Sequence, residues 1–230
     1  MWTSLTAWDA FGHTTLVPFG PVPVTTFLLI RHALCDPVGK SIAGRTAGIH
    51  LNPAGRVQAA ALAQRIAHLP ISAIYSSPLE RALETAEPMA MHRRLEVVRS
   101  TGLNEVDFGE WTGRSLVELN GMADWREFNV HKSATRIPKG ETMTEVLARA
   151  WKALDRIQRD RGRALVAVIS HGDVLRSIVT HALGASLDFM HRVVIDPASV
   201  TILAFEHEVP RLLLLNSAGE WPEEVTSAKP

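Results

Sequence analysis

The stretch "TTFLLIRHALCD", Thr25 to Asp36, carries an apolar run, Phe27–Ile30, that ends on the adjacent pair Arg31 and His32. A short apolar run bounded by polar residues reads as a fully buried strand. Burying two strongly polar side chains without partners is costly. The pair is therefore either a surface feature or a working site, and the rest of the chain has to decide between them.

Two further runs of strand length follow, Ile71–Tyr75 and Leu165–Ile169. Each is succeeded by a polar turn and then a helical pattern. "NPAGRVQAAALAQRIAHL" starts a helix with Asn52 as N-cap and Pro53 at the first helical position. Its Val57, Ala61, Leu62 and Ile66 lie near helical spacing. "SPLERALETA" offers a capping box of Ser77 and Glu80 around Pro78, and "TMTEVLARAWKALDRIQ" a second one of Thr142 and Glu145, ending before Gly162. A fourth helix runs from just after His171 to Leu183 and stops at Gly184. "SVTILAFE" and "RLLLLN" flank "HEVP" and read as a hairpin.

Strands that alternate with helices predict an α/β three-layer sandwich. Its central sheet is expected to be mostly parallel, with helices on both faces and one antiparallel edge strand. Residues 1–23 hold Pro18, Pro21 and Pro23 and are expected to form a poorly ordered or loosely docked extension. Residues 24–217 form the expected catalytic domain, with a small lid over about 107–141, and 218–230 a fraying tail.

The 24 basic residues equal the 24 acidic ones, so no global field favours nucleic acid or an anionic membrane. No run reaches the ~18 apolar residues of a membrane span. Cys35 is the single cysteine, which rules out an intrachain disulfide and makes a reducing cytoplasm the expected compartment. The ten histidines show no HExxH and no Cys-His cluster, so no metal and no cofactor are expected. The absence of a Gly-rich P-loop disfavours nucleoside triphosphatase chemistry. Trp111, Trp125 and Trp151 read as packing residues. The apolar "LGASLDFMHRVVI" offers a surface for a homodimer.

In open α/β sheets, ligands bind beyond the carboxyl ends of the strands. Arg31-His32, Ser76-Ser77 with Arg81, and Ser170-His171-Gly172 each lie just past a predicted strand. If those strands are parallel neighbours, two histidines and two arginines converge on one rim. Arginine forks and helix N-termini both favour an anion, and phosphate is the natural candidate.

Together "LLIRHALCD", "SSPLERALETA", "LNEVDFGEWTG", "GETMTEV" and "VISHGDVLRSIV" resemble the ordered motif set of the histidine phosphatase superfamily, also called phosphoglycerate mutase-like. The resemblance spans roughly Thr25 to Leu215. It implies that His32 is a nucleophile forming a phosphohistidine, and that Arg31, Arg81 and His171 hold the phosphoryl oxygens. It makes Glu105 the proton donor to the leaving oxygen. Arg45 matches a position that can face the pocket mouth. Lys132, Arg136 and Lys139 in the lid form a basic lip that could select a second anionic group, with Lys132 and Arg136 as the candidate contacts.

The chain departs from the pattern at Ala33, Leu34 and Cys35, where many members carry Gly, an acidic residue and Ser or Thr. The resemblance implies a metal-independent phosphomonoesterase acting on a small phosphorylated metabolite. Two alternatives stay open: a phosphomutase, disfavoured by the short lid, and a non-catalytic phospholigand-binding module.

Overall fold

A computed structural model of the chain describes residues 24–206 and 209–219. The expected extension 1–23 and most of the expected tail lie outside the described residues. One six-stranded sheet organises the fold. Its strands are β1 (Thr25–Arg31), β2 (Ile71–Ser76), β3 (Val97–Arg99), β4 (Leu165–Ser170), β5 (Val200–Glu206) and β6 (Val209–Ser217). Across the sheet the order is β3-β2-β4-β1-β5-β6. The first four in that order pair in parallel, so β2, β4 and β1 end side by side at one rim.

β5 runs antiparallel to β1, and β6 antiparallel to β5. The antiparallel pair expected at one edge of the sheet is thus β5 with its hairpin partner β6. The predicted hairpin is the β5–β6 pair. The three-residue β3 was not foreseen.

Strand periodicity sends alternate side chains to opposite faces. From β1, Phe27 and Leu29 enter one core layer and Leu28 and Ile30 the other. From β4, Val166 and Val168 face the first layer and Leu165, Ala167 and Ile169 the second. Full burial of such a side chain stabilises by about 1.5–3 kcal/mol. Apolar runs on both faces thus hold β1 and β4 at the centre of the sheet.

The second layer is closed by α1 (Pro53–Arg65) and α2 (Glu80–Arg93), the first by α5 (Met143–Arg161) and α6 (Gly172–Ala182). Asn52 caps α1 by accepting from the Gly55 N–H at 2.9 Å, and Pro53 occupies the first position. α1 buries Ala59, Leu62 and Ala63, while Val57 is exposed, against the expected apolar stripe. Thr142 and Glu145 form the expected capping box of α5. The expected box at α2 is absent. Its N-cap is Leu79, with no side-chain cap, because the Ser77 hydroxyl is engaged elsewhere.

Two short helices, α3 (Leu116–Asn120) and α4 (Ala123–Val130), occupy the segment 107–141. That segment leaves and returns at one point, where the Glu141 N–H donates to Asp107 O at 3.0 Å. A Cβ on Gly140 would lie 2.3 Å from Asp107 O, and one on Gly109 2.1 Å from Pro138 O. Only glycine fits at this stem. Trp111 packs edge-on against Trp125 at 5.2 Å and against Phe128 at 5.3 Å, which seats both helices. Trp151 packs against His181 and Phe205. At the far end of the sheet, Arg65 of α1 donates to Ser217 O and Gly219 O, so the chain is still tied down at 219.

Candidate active site

The rim formed by the ends of β1, β2 and β4 opens into a cavity of about 440 Å³. Arg31, His32, Arg81, Glu105 and Gly172 line it, beneath Trp125 and Lys132 of the 107–141 segment. Behind this wall His171, fully buried, faces His32 with ring centroids 5.1 Å apart and planes at 60°.

His32 follows β1 directly, and its N–H donates to Ser170 O at the end of β4. Its Nδ1 lies 2.8 Å from Ala33 O. A carbonyl oxygen only accepts, so Nδ1 carries the hydrogen and Nε2 keeps a free lone pair. Burial, reinforced by the Arg81 and Arg31 charges, pulls the His32 pKa down to about 3. The ring is therefore neutral across the physiological range.

His171 is the N-cap of α6. Its Nε2 lies 2.7 Å from Ser77 Oγ and its Nδ1 3.7 Å from Glu105 Oε2. Burial and the neighbouring His32 and Arg81 hold its pKa well below the ordinary value.

Arg31 donates Nη1 to Ile195 O at 2.7 Å, and Arg81 donates Nη2 to Gly44 O at 2.8 Å. Nε of Arg31, Nε and Nη1 of Arg81, and Nδ1 of His171 are buried without a hydrogen-bond partner. Buried polar nitrogens are seldom left unpaired. Donors gathered beside the N-terminus of α6 form a cradle for a polyanion of phosphate shape. Gly172 permits the approach, since a Cβ there would lie 3.3 Å from the Arg31 guanidinium.

Glu105 sits on the loop after β3. Its Oε1 accepts from the Val106 N–H at 2.8 Å. Burial, with the nearby Asp173 charge, raises its pKa to about 7, although Arg81 and Arg31 oppose the rise. It is a carboxyl that can carry a proton at neutral pH and release it.

The chain from 27 to 218 matches the family described as "Histidine phosphatase superfamily (branch 1)". The chain belongs to the histidine phosphatase superfamily. Family and rim chemistry together make it a phosphatase that acts on small phosphorylated compounds. Phosphoserine phosphatase 1 of Hydrogenobacter thermophilus is 29% identical over 196 residues, covering 82% of this chain and 90% of that one. A crystal structure of a mutant phosphoserine phosphatase from Entamoeba histolytica, in complex with phosphoserine, is 29% identical with a TM-score of 0.77. It covers 84% of this chain and 98% of that one. YhfR of Bacillus stearothermophilus matches with a TM-score of 0.79 at 25% identity, over 87% of this chain and 99% of that one.

In this phosphatase the structure brings Arg31, His32, Arg81, Glu105 and His171 together. Lys132, buried, also faces the cavity. Two predicted contacts are placed elsewhere. Arg45 turns away from the cavity, donating to Glu105 O at 2.9 Å and pairing with Glu141 at 2.9 Å. Arg136 is exposed and pairs with Glu145 at 2.5 Å, on the outer side of the cap of α5. Each basic side chain found a carboxylate nearer than the cavity.

Ala33 does not crowd the cradle, because its methyl is buried in the α1–α2 core layer. Cys35 lines the cavity and is buried, which raises its thiol pKa.

Three supporting residues escaped the sequence reading. Thr85 Oγ1 accepts from the Ala33 N–H at 2.9 Å and donates to Arg81 O at 2.7 Å, so it ties the His32 loop to the Arg81 helix. Arg149 donates to Gly102 O, Asn104 O and Glu105 O and pairs with Glu141, which fixes the Glu105 loop. Asp173, paired with Arg176 at 2.8 Å, is the acidic neighbour of the cradle. Only the "GETMTEV" and "SHGD" motifs pointed toward Glu141 and Asp173, and nothing local marked Thr85 or Arg149.

Proposed function

We propose that this phosphatase is a metal-independent phosphomonoester hydrolase working through a covalent phosphohistidine on His32. One observation carries the reading. The neutral His32 ring, its hydrogen fixed on Nδ1 by Ala33 O, presents a free Nε2 lone pair among buried, unpartnered donors of Arg31, Arg81 and His171.

In the first step the Nε2 lone pair attacks phosphorus and the bond from phosphorus to the ester oxygen breaks. Glu105 gives its proton to the departing oxygen, which leaves as the alcohol. Arg31, Arg81 and His171 bind the phosphoryl oxygens as charge shifts between them, which is the main demand of phosphoryl transfer. The Nδ1–H···O=C bond to Ala33 stabilises the charge that the ring acquires. In the second step Glu105, now a carboxylate, takes a proton from water as the water oxygen attacks phosphorus. The phosphorus–nitrogen bond breaks, its electron pair returns to Nε2, and phosphate leaves with Glu105 protonated again. Dividing one displacement into two lowers the barrier of each.

The substrate is a small phosphate ester, as the cavity volume allows. The single buried cysteine suits a reducing cytoplasm. Release of phosphate from p-nitrophenyl phosphate in EDTA tests the reading. Turnover by the wild type that is lost in His32→Ala supports it, and equal turnover by both overturns it.

A further inference from the structure

The peptide unit that joins Ala33 to Leu34 has both of its polar groups engaged by side chains. Its carbonyl, Ala33 O, accepts from His32 Nδ1 at 2.8 Å. Its N–H, on Leu34, donates to Oε1 of Gln58 at 3.0 Å. Carbonyl and N–H of one peptide unit share a rigid plane, so turning one turns the other. A single chain of hydrogen bonds therefore runs from the Gln58 amide on α1, through one peptide unit, to the His32 ring.

The first turn of α1 bears on the same residue. Leu34 O accepts from the Asn52 N–H at 3.1 Å, and a Cβ on Gly55 would lie 2.0 Å from that oxygen. The preceding peptide unit is tied to α2, because the Ala33 N–H donates to Thr85 Oγ1. The side chains of Ala33 and Leu34 offer no hydrogen bond of their own, so both planes are fixed from the two helices.

We infer that Gln58 is a positioning residue for the nucleophile: its amide oxygen orients the Ala33–Leu34 peptide unit, which keeps the His32 hydrogen on Nδ1 and the Nε2 lone pair aimed into the cradle. The inference rests on the phosphatase reading above and adds to it a residue outside the cavity wall, half-buried on α1. Which nitrogen of an imidazole carries the hydrogen is set by the hydrogen bonds the ring makes. Hydrogen bonds in a chain also polarise one another, so an acceptor on the Leu34 N–H makes Ala33 O a stronger acceptor for the ring. That carbonyl faces the positive charge the ring gains as Nε2 bonds to phosphorus. The effect of Gln58 therefore belongs on kcat rather than on KM.

The test uses the full chain with isotopically labelled histidines and reads the ring nitrogens of His32 by NMR near neutral pH. The His32 signals are those missing from His32→Ala. The wild type is expected to carry the hydrogen on Nδ1. Methionine keeps the length and helix propensity of glutamine but supplies no acceptor oxygen. In Gln58→Met both ring nitrogens should move toward a mixture of tautomers. With p-nitrophenyl phosphate its kcat should fall by about 10-fold while KM changes by less than ~2-fold. Gln58→Glu, which keeps an acceptor oxygen at the same place, should restore both. Asn52→Ala removes the cap of α1 and lowers stability, yet leaves that acceptor in place, and should match the wild type in both readouts.

A tautomer or a kcat that Gln58→Met leaves unmoved overturns the inference. So does a loss that Gln58→Glu fails to recover, or one that Asn52→Ala reproduces. A wild-type ring with its hydrogen on Nε2, or a wild type that releases no phosphate, brings down the phosphatase reading and the inference with it. Turnover by a wild type with the hydrogen on Nδ1, unchanged in Gln58→Met, leaves that reading standing and overturns the inference alone.

Discussion

Ser77 Oγ lies 2.7 Å from His171 Nε2, with both side chains fully buried at the ends of neighbouring strands β2 and β4. The Ser77 hydroxyl, which also reaches Asn104 Oδ1 at 3.5 Å, holds Nε2 of the ring, while Nδ1 has no hydrogen-bond partner. That nitrogen faces the cradle, 3.7 Å from Glu105 Oε2. Ser77→Ala removes what orients this ring without touching substrate. Leaving a buried polar group unpaired costs about 1–3 kcal/mol. The expected result is a fall of about 10- to 100-fold in kcat/KM with little change in the shape of the pH profile. Steady-state kinetics on p-nitrophenyl phosphate checks it, and an unchanged rate would show that the ring is oriented without Ser77.

The Glu105 and His32 shifts set a pH dependence with a definite sign. His32 near 3 is already neutral throughout the useful range, so the nucleophile contributes no rising limb near pH 6.5. Glu105 near 7 must be protonated to act as an acid, so activity is expected to be level in mildly acidic solution and to fall as pH rises through 7. The profile of kcat/KM, corrected for substrate ionisation, shows this. Glu105→Gln should abolish the falling limb and slow alkyl phosphates far more than aryl ones, whose leaving groups need less protonation. Equal losses on both ester types would remove Glu105 from the donor role.

The same shift has a stability consequence. Unfolded, Glu105 titrates near the ordinary glutamate value of about 4.3. Folded, it titrates near 7. The native state therefore holds the extra proton between those values, and the stability it contributes is full below the lower one and lost as pH rises through the upper one. The difference is on the order of 3 kcal/mol at pH 8. Glu105→Gln, which carries no charge to bury, should raise the melting temperature relative to the wild type at pH 8 and much less at pH 5. Thermal unfolding followed by circular dichroism at both values decides it.

Much of this arrangement could be read from residue order. β1 and β4 announce themselves because both faces are apolar, so their runs are nearly continuous. Asn52-Pro53 and Thr142-Glu145 declare their helices because caps are local chemistry. The carboxyl-end rule then placed Arg31, His32, Arg81 and His171 on one rim, and the geometry there follows from the parallel order β2-β4-β1.

What failed to show depends on the third dimension. Ser77 and Glu80 have the spacing of a capping box, yet the hydroxyl turns across the sheet to His171. Arg45 and Arg136 look like cavity contacts because a basic loop residue does not reveal in sequence which carboxylate it will meet. β3 has three residues and only β2 for a neighbour, too little pattern to recognise.

Arg149 offers a test of how the Glu105 loop is held. Its guanidinium gathers three backbone carbonyls of residues 102–105 together with Glu141, and Glu141 in turn holds Arg45. Lysine has one point donor where the fork makes several bonds, so Arg149→Lys cannot reproduce them. Arg149→Met is expected to cost about 2–4 kcal/mol in urea unfolding, and Arg149→Lys to recover only part of that. kcat should fall in both as Glu105 loses its fixed position. Arg45→Met, which removes a more exposed partner, should cost less on both counts. A full recovery by lysine would mean that charge alone, and not the fork, secures the loop.

Gly172 separates binding geometry from stability at a single position. It opens α6 with ordinary negative-φ backbone, where alanine is a better helix former than glycine. Its missing side chain is nonetheless what lets the Arg31 guanidinium lie flat against the helix end, for a Cβ would stand 3.3 Å from both Cζ and Nε. Arg31 cannot retreat freely, since Ile195 O holds its Nη1 at 2.7 Å. A methyl at 172 must therefore push the Nε donor out of the cradle by a few tenths of an ångström. Misplacement of about 1 Å in a catalytic site costs ~100-fold, so a shift of this size should cost about 3- to 10-fold. Gly172→Ala is expected to raise KM, and to weaken inhibition by inorganic phosphate in proportion, while the unfolding free energy stays within about 1 kcal/mol of the wild type. Phosphate inhibition constants and urea unfolding on the same preparation measure both. A variant that binds phosphate as tightly as the wild type would show that the Arg31 Nε donor is not part of the anion site, leaving Arg81 and His171 to hold it.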